Sequence, residues 1–241
     1  MKKTLLTLAA VSAFSMSAQA EQFWADNSIS YLNGSNYIEP FYADATTDVS
    51  YSTITLEHVS GHSWGGLFYF VDMHSGDGFD ETYVELSPKF TLSKMEGSVA
   101  AINALYTLES GSGFDNHMFG LGVELKVPGL NFLEVNLYRA INDKLGIDKG
   151  DDNMLGLVYG YSNGNLNIDG FMDYRFGNSG NQFGDIEDSM NLTPQITYDL
   201  APMLELKGKL KVGIEYSYWT NKFGVDGADQ NAVSLLLKAH L

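Results

Sequence analysis

Residues 133–143 read LEVNLYRAIND, and oily and polar side chains alternate along the stretch. Leu133, Val135 and Leu137 share one parity; Glu134, Asn136 and Tyr138 share the other. A β-strand points successive side chains to opposite faces, so this pattern sets one face in an apolar medium and the other in a polar one. A soluble sheet buries its oily face against a helix or a second sheet. No segment of this chain reads as such a layer, and the covering medium becomes the question.

The pattern recurs. Val84, Leu86, Pro88, Phe90 and Leu92 alternate with Tyr83, Glu85, Ser87, Lys89 and Thr91. Phe119, Leu121, Val123, Leu125 and Val127 alternate with Gly120, Gly122, Glu124 and Lys126. Leu166, Ile168, Met172 and Tyr174 oppose Asn167, Asp169, Phe171, Asp173 and Arg175, and Leu210, Val212, Ile214 and Tyr216 oppose Lys209, Lys211, Gly213 and Glu215. Twelve strands are expected, near 27–33, 51–59, 64–72, 82–92, 98–108, 117–127, 131–140, 153–161, 165–176, 189–198, 205–219 and 230–241. A sandwich shows the same alternation strand by strand. The clearest segments, however, are long for a sandwich and right for tilted spans of a bilayer.

The connections add a second argument. Short ones are expected at 60–62, 93–97, 127–129, 162–165 and 198–203, where Asn163-Gly164 is a tight-hairpin signal. Long ones are expected at 34–50, 73–81, 109–116, 141–152, 177–188 and 220–229. Strict alternation of this kind closes the strands with both termini at the short-turn end, as in outer-membrane barrels. The fold class is therefore all-β: a single antiparallel transmembrane β-barrel of about 12 strands. Phe68, Tyr69, Phe70, Tyr159, Tyr161, Tyr174, Phe176, Tyr198, Tyr216 and Tyr218 are expected near the strand ends, as interfacial girdles.

The ends and the composition agree. Lys2 and Lys3, the apolar run Leu5 to Phe14 and Ala18-Gln19-Ala20 form a signal peptide at 1–20, leaving the barrel at 21–241. The implied place is the cell outer membrane of a Gram-negative bacterium, with both termini periplasmic. With no Cys there is no disulfide or thiol chemistry. The formal charge of −16, or −18 without Lys2 and Lys3, argues against any nucleic-acid polymer as partner. Seventeen Asp and Glu fall in the six long connections against only Lys144, Lys149 and Lys222, so one end of the molecule is expected to be strongly negative.

The stretch from Ile54 to Lys94, ITLEHVSGHSWGGLFYFVDM…ETYVELSPKFTLSK, resembles the Tsx-type nucleoside-specific channels and the related OmpK outer-membrane proteins. The resemblance rests on Glu57, Trp64, the run Phe68-Tyr69-Phe70-Val71-Asp72 and Glu85-Leu86-Ser87-Pro88-Lys89-Phe90, with a weaker match over Leu133 to Tyr138. It implies a monomeric twelve-stranded barrel whose narrow aromatic and ionisable lumen passes nucleosides, with phage binding at the surface loops of some members. This chain departs from the family in its final His240-Leu241, where an aromatic residue is usual, and in short acidic loops.

The expected function is thus facilitated diffusion of small solutes, nucleosides foremost. The alternatives are a closed barrel whose acidic external loops bind partners such as phage, and a barrel enzyme with its site at the rim. Lumen candidates, taken from the polar parity, are Tyr83, Glu85, Lys89, Glu124, Glu134, Asn136, Tyr138, Asp169, Phe171, Asp173, Arg175, Lys209, Lys211, Glu215 and Trp219. Such walls replace a solute's hydration without holding it too tightly. His58, His62, His74, His117 and His240 show no metal-like spacing, and no Ser is read as paired with a His. The acidic runs 75–81 and 148–153 lack the ligand spacing of a calcium loop. No metal, cofactor or catalysis is expected.

Overall fold

The computed structural model describes residues 21–144, 147–148, 150–178, 180 and 185–241, and the signal peptide expected at 1–20 lies outside the described residues. Twelve long strands run β1 Gln22–Ile38, β2 Asp48–His62, β3 Gly65–Gly76, β4 Phe79–Lys94, β5 Val99–Gly111, β6 Phe114–Leu125, β7 Phe132–Lys144, β8 Asp152–Asn163, β9 Leu166–Phe176, β10 Ser189–Asp199, β11 Lys209–Thr220 and β12 Gln230–His240. Ile147–Asp148 adds two residues that pair back onto the end of β7. Each strand is antiparallel to the next, and β12 returns to β1 in a register from Ser28↔His240 to Ser35↔Val233. The sheet therefore has no free edge. Every expected strand is present, and most extend past their expected ends.

The opening question resolves directly. Among the described residues all strands belong to one closed sheet, and no second sheet packs outside it. The only helix among the described residues is one 3-10 turn, Lys222–Gly224. On the outer face Leu137 is 55 % exposed, Leu121 61 % and Leu235 70 %. On the inner face Asn136, Thr197, Ser234 and Lys238 are buried. A polar interior inside an uncovered apolar wall inverts a soluble core, and lipid is the medium that suits such a wall.

Two inward glycines shape that interior. A Cβ at Gly122 would overlap Asn136 Oδ1, and one at Gly120 would meet the Leu137 carbonyl and the Tyr138 ring. Glycine on β6 thus lets the β7 side chains lie across the wall beside it. A bulge between Gly34 and Tyr37, with Asn36 at φ 65°, turns Tyr37 inward. There it stacks on Tyr51, with ring centres 4.0 Å apart, in a buried cluster with Val49, Phe79 and Ala232.

The connections differ from expectation in three places. β3 and β4 meet in a two-residue turn at Asp77-Gly78, and β5 and β6 in one at Ser112-Gly113, where long loops were expected. Asp77 and Gly78 both take positive φ, 46° and 76°, the turn geometry that matches strand twist. At the opposite end, residues 200–208 form a longer connection than the short turn expected at 198–203, and β11 starts only at Lys209. The hairpin near Asn163-Gly164 is as expected, with Asn163 already paired to Leu166 and Gly164 at φ 60°.

Candidate functional site

The interior holds one continuous cavity of about 1860 Å³. Its lining runs from Trp24 and His62 near the terminus end to Tyr42, Asp185 and Asp226 at the other. Tyr83, Glu85, Lys89, Glu124, Glu134, Asn136, Tyr138, Asp169, Phe171, Asp173, Arg175, Glu215 and Trp219 all line it, as the polar parity implies. Lys209 and Lys211 do not. They lie at the first turns of β11, where Lys209 is exposed and Lys211 is buried against the wall, so their parity is right but their depth is not.

Four cations tie the interior together. Lys89 Nζ sits 2.8 Å from Glu124 and 2.6 Å from Glu134, reaching from β4 to β6 and β7. Arg175 Nη2 donates to both Glu109 oxygens at 2.8 and 2.7 Å, and Arg175 Nη1 lies 3.6 Å from Asp152. Lys238 pairs with Glu57 at 2.8 Å. Near the loop end, Lys222 is buried 2.9 Å from Glu39, donates to Gln230 Oε1, and lies over the rings of Trp219 and Phe223. Desolvation holds its ammonium below the ordinary lysine value, against the pull of Glu39.

Other carboxylates accept only from neutral donors among the described residues. Asp72 takes the Thr55 hydroxyl at 2.5 Å, Glu85 the Ser87 hydroxyl at 2.7 Å and Glu215 the Gln195 amide at 2.8 Å. Aromatic rings run between them. Phe68 and Phe70 are 5.6 Å apart, Phe70 and Tyr83 5.6 Å, and Tyr83 and Phe114 6.3 Å. The inner wall therefore offers ring faces beside carboxyl groups that have no cation in hydrogen-bond contact.

No protein-family model and no curated protein matches the chain. Solved structures do. The KdgM porin in complex with disordered oligogalacturonate superposes with a TM-score of 0.54 at 14 % identity, over 88 % of this chain and 98 % of that one. A second KdgM porin structure gives 0.52 at 16 % identity, and the NanC porin 0.53 at 10 %, with the same coverages. The barrel has the porin fold.

Within that porin fold, several lumen residues escaped the sequence reading. Glu57, Asp72 and Lys238 share their strands' inward parity, but the strands holding them were not read by parity. Glu39, Glu109, Asp152 and Lys222 were assigned to outer loops, yet all four line the cavity and form its ion pairs. The acidic end is therefore less negative than seventeen free acids imply. The aromatic girdle also divides: Tyr69, Tyr174 and Tyr198 face outward, whereas Phe68, Phe70 and Phe176 line the cavity.

Proposed function

We propose that this chain is an outer-membrane channel passing small, uncharged, ring-bearing solutes, with nucleosides the leading class. The observation that carries the reading is the continuous cavity lined from rim to rim by aromatic faces and carboxylates. A nucleobase stacks on Phe70, Tyr83 or Phe171, while Glu85, Asp173 and Asn136 accept from or donate to ribose hydroxyls. The resemblance of residues 54–94 to nucleoside channels supports the same class. The oligogalacturonate of the KdgM structure is a chain of acidic sugars, and the carboxylates Asp72, Glu85 and Glu215 disfavour such an anion here.

Flux into liposomes tests this. Uridine is expected to enter faster than uridine monophosphate and faster than an uncharged sugar of similar size. Tyr83→Ala and Phe171→Ala should each lower uridine entry about fivefold, the equivalent of roughly 1 kcal/mol of lost stacking, and leave sugar entry unchanged. Equal entry of uridine and sugar means a general pore. No entry above background means that the Lys89 and Arg175 ion pairs close the lumen and that the surface loops carry the function.

The orientation follows from the same reading, with the termini periplasmic and the 39–47, 177–188 and 221–229 connections outside. A single Cys at Asp226 should react with an impermeant maleimide on intact cells, and one at Gly164 should not. The reverse pattern inverts the barrel.

A further inference from the structure

On the outer face, close to the short turn at Ser63-Trp64, four polar side chains form a hydrogen-bonded row. Asn27 Oδ1 lies 2.8 Å from His58 Nδ1, His58 Nε2 lies 2.9 Å from Ser60 Oγ, and Ser60 Oγ lies 2.9 Å from His62 Nε2. One carbonyl fixes the direction of the row. Asn27 Oδ1 only accepts, so His58 Nδ1 carries the hydrogen and His58 Nε2 presents its lone pair to the serine hydroxyl. Ser60 Oγ in turn accepts from His62. Both rings are held in place, His58 stacked on Tyr69 at 4.8 Å and His62 on Trp64 at 4.9 Å.

Strand parity turns the row to the outer face: His58 pairs with the outward Tyr69, and Ser60 shares the parity of the exposed Leu56, opposite to Glu57 and Val59. At the terminus end the mouth of the cavity also reaches Ser60 and His62. His62 shares its stack with Trp64, which packs on the outward Phe90 at 5.2 Å. Ser60 stands three residues from the turn, roughly 7–10 Å along the strand. Strand ends of an inserted barrel lie towards the bilayer interface, where the ester carbonyls of a lipid are found.

We propose that Asn27, His58 and Ser60 form a second functional site, a serine hydrolase centre acting on the acyl esters of membrane lipids. The proposal goes beyond the channel and rests only on the membrane placement. A hydroxyl bonded to an imidazole, itself bonded to an orienting amide, is the arrangement that acyl transfer needs, and it is recognised by geometry and not by fold. Ser60 Oγ attacks the ester carbonyl carbon as its proton passes to His58 Nε2. The bond from carbonyl carbon to glycerol oxygen breaks, and that oxygen takes the proton from His58. Water, giving a proton to His58, then attacks the acyl-serine carbonyl and breaks its bond to Oγ, which recovers the proton. The sum is ester plus water to lysolipid plus fatty acid. Asn27 is a positioning residue. Ser60 is only 2 % exposed, and the His62 ring, 2.9 Å from its hydroxyl, must move aside to admit an ester.

The test uses the full chain inserted into vesicles of phosphatidylethanolamine and phosphatidylglycerol with a labelled acyl chain, and in parallel a fluorophosphonate probe read by mass spectrometry. Wild type is expected to release labelled fatty acid and to carry the adduct on Ser60. Ser60→Ala should lose both while the barrel still inserts. His58→Gln should slow both about 100-fold, the contribution of a positioned general base. Asn27→Ala should slow release and alter its pH profile, a change that loss of a merely structural contact does not produce. A wild-type barrel that is inserted and conducting, yet shows neither release nor adduct, overturns the proposal. So does release undiminished by Ser60→Ala. Failure of wild type to insert overturns the membrane placement, and this site with it.

Discussion

Arginine in place of Leu137 is expected to lower the stability of the inserted barrel by about 2–4 kcal/mol, the cost of a charge near the bilayer midplane. Leu137 is mid-strand on β7, between Leu121 of β6 and Leu155 of β8, and its outward side chain is 55 % exposed to whatever surrounds the wall. Urea unfolding in lipid vesicles measures the loss. The same substitution at Leu133, on the same face but at the start of β7, should cost no more than about 1 kcal/mol, because charged groups near the interface keep their hydration. Equal tolerance at the two sites would remove lipid as the medium that covers this face.

The second large effect is expected at Arg175. Its guanidinium bridges Glu109 on β5 and Asp152 at the start of β8, with Met118 Sδ 3.5 Å away on β6. Arg175→Met leaves both carboxylates without their cation. Breaking a buried pair from one side costs about 3–5 kcal/mol, and the water of the lumen reduces this to roughly 2–3. The Arg175 side chain is 22 % exposed, which justifies the reduction. Glu109→Gln in the same chain should return part of the loss, and a double-mutant cycle reads the coupling. The lumen of the single variant also carries one positive charge fewer, so the reversal potential in a salt gradient should move towards cation preference. An unchanged midpoint and an unchanged potential would mean that the bridge spans no functional part of the lumen.

Which parts of this were legible depended on whether a local rule sufficed. Alternation is local, so β4, β6, β7, β9 and β11 could be assigned both a span and an inward parity, and thirteen of the fifteen residues chosen that way line the cavity. Depth along the axis is not local, which is why Lys209 and Lys211 share the inward parity yet lie off the cavity lining. Loop membership misled in the other direction. Glu109 looks like a loop acid beside Ser110-Gly111, but β5 continues to Gly111 and carries it inside. Lys222 does lie in a connection, and only the fold of that connection, with Asn221 and Phe223 both at positive φ, returns its ammonium to Glu39. The Asn27–His58 contact joins two strands in register, and no spacing within the sequence announces it. His58, Ser60 and His62 do stand two residues apart on one strand face, and that spacing was readable.

The pairing of β1 with β12 has a consequence in time. Every other seam of the barrel joins neighbours in sequence, so each can zip up soon after its two strands meet. The last seam brings Ser28 to His240, across nearly the whole chain, and by the logarithmic rule closing such a span costs roughly 5 kcal/mol of loop entropy. Until it forms, β1 and β12 each present a bare edge of unpaired amides, ready to dock with any other strand. The rate of folding is then set by the slowest handshake, and nascent chains are vulnerable to aggregation for as long as it is delayed. A chaperone that shields those two strands would shorten the danger more than one that holds any other pair.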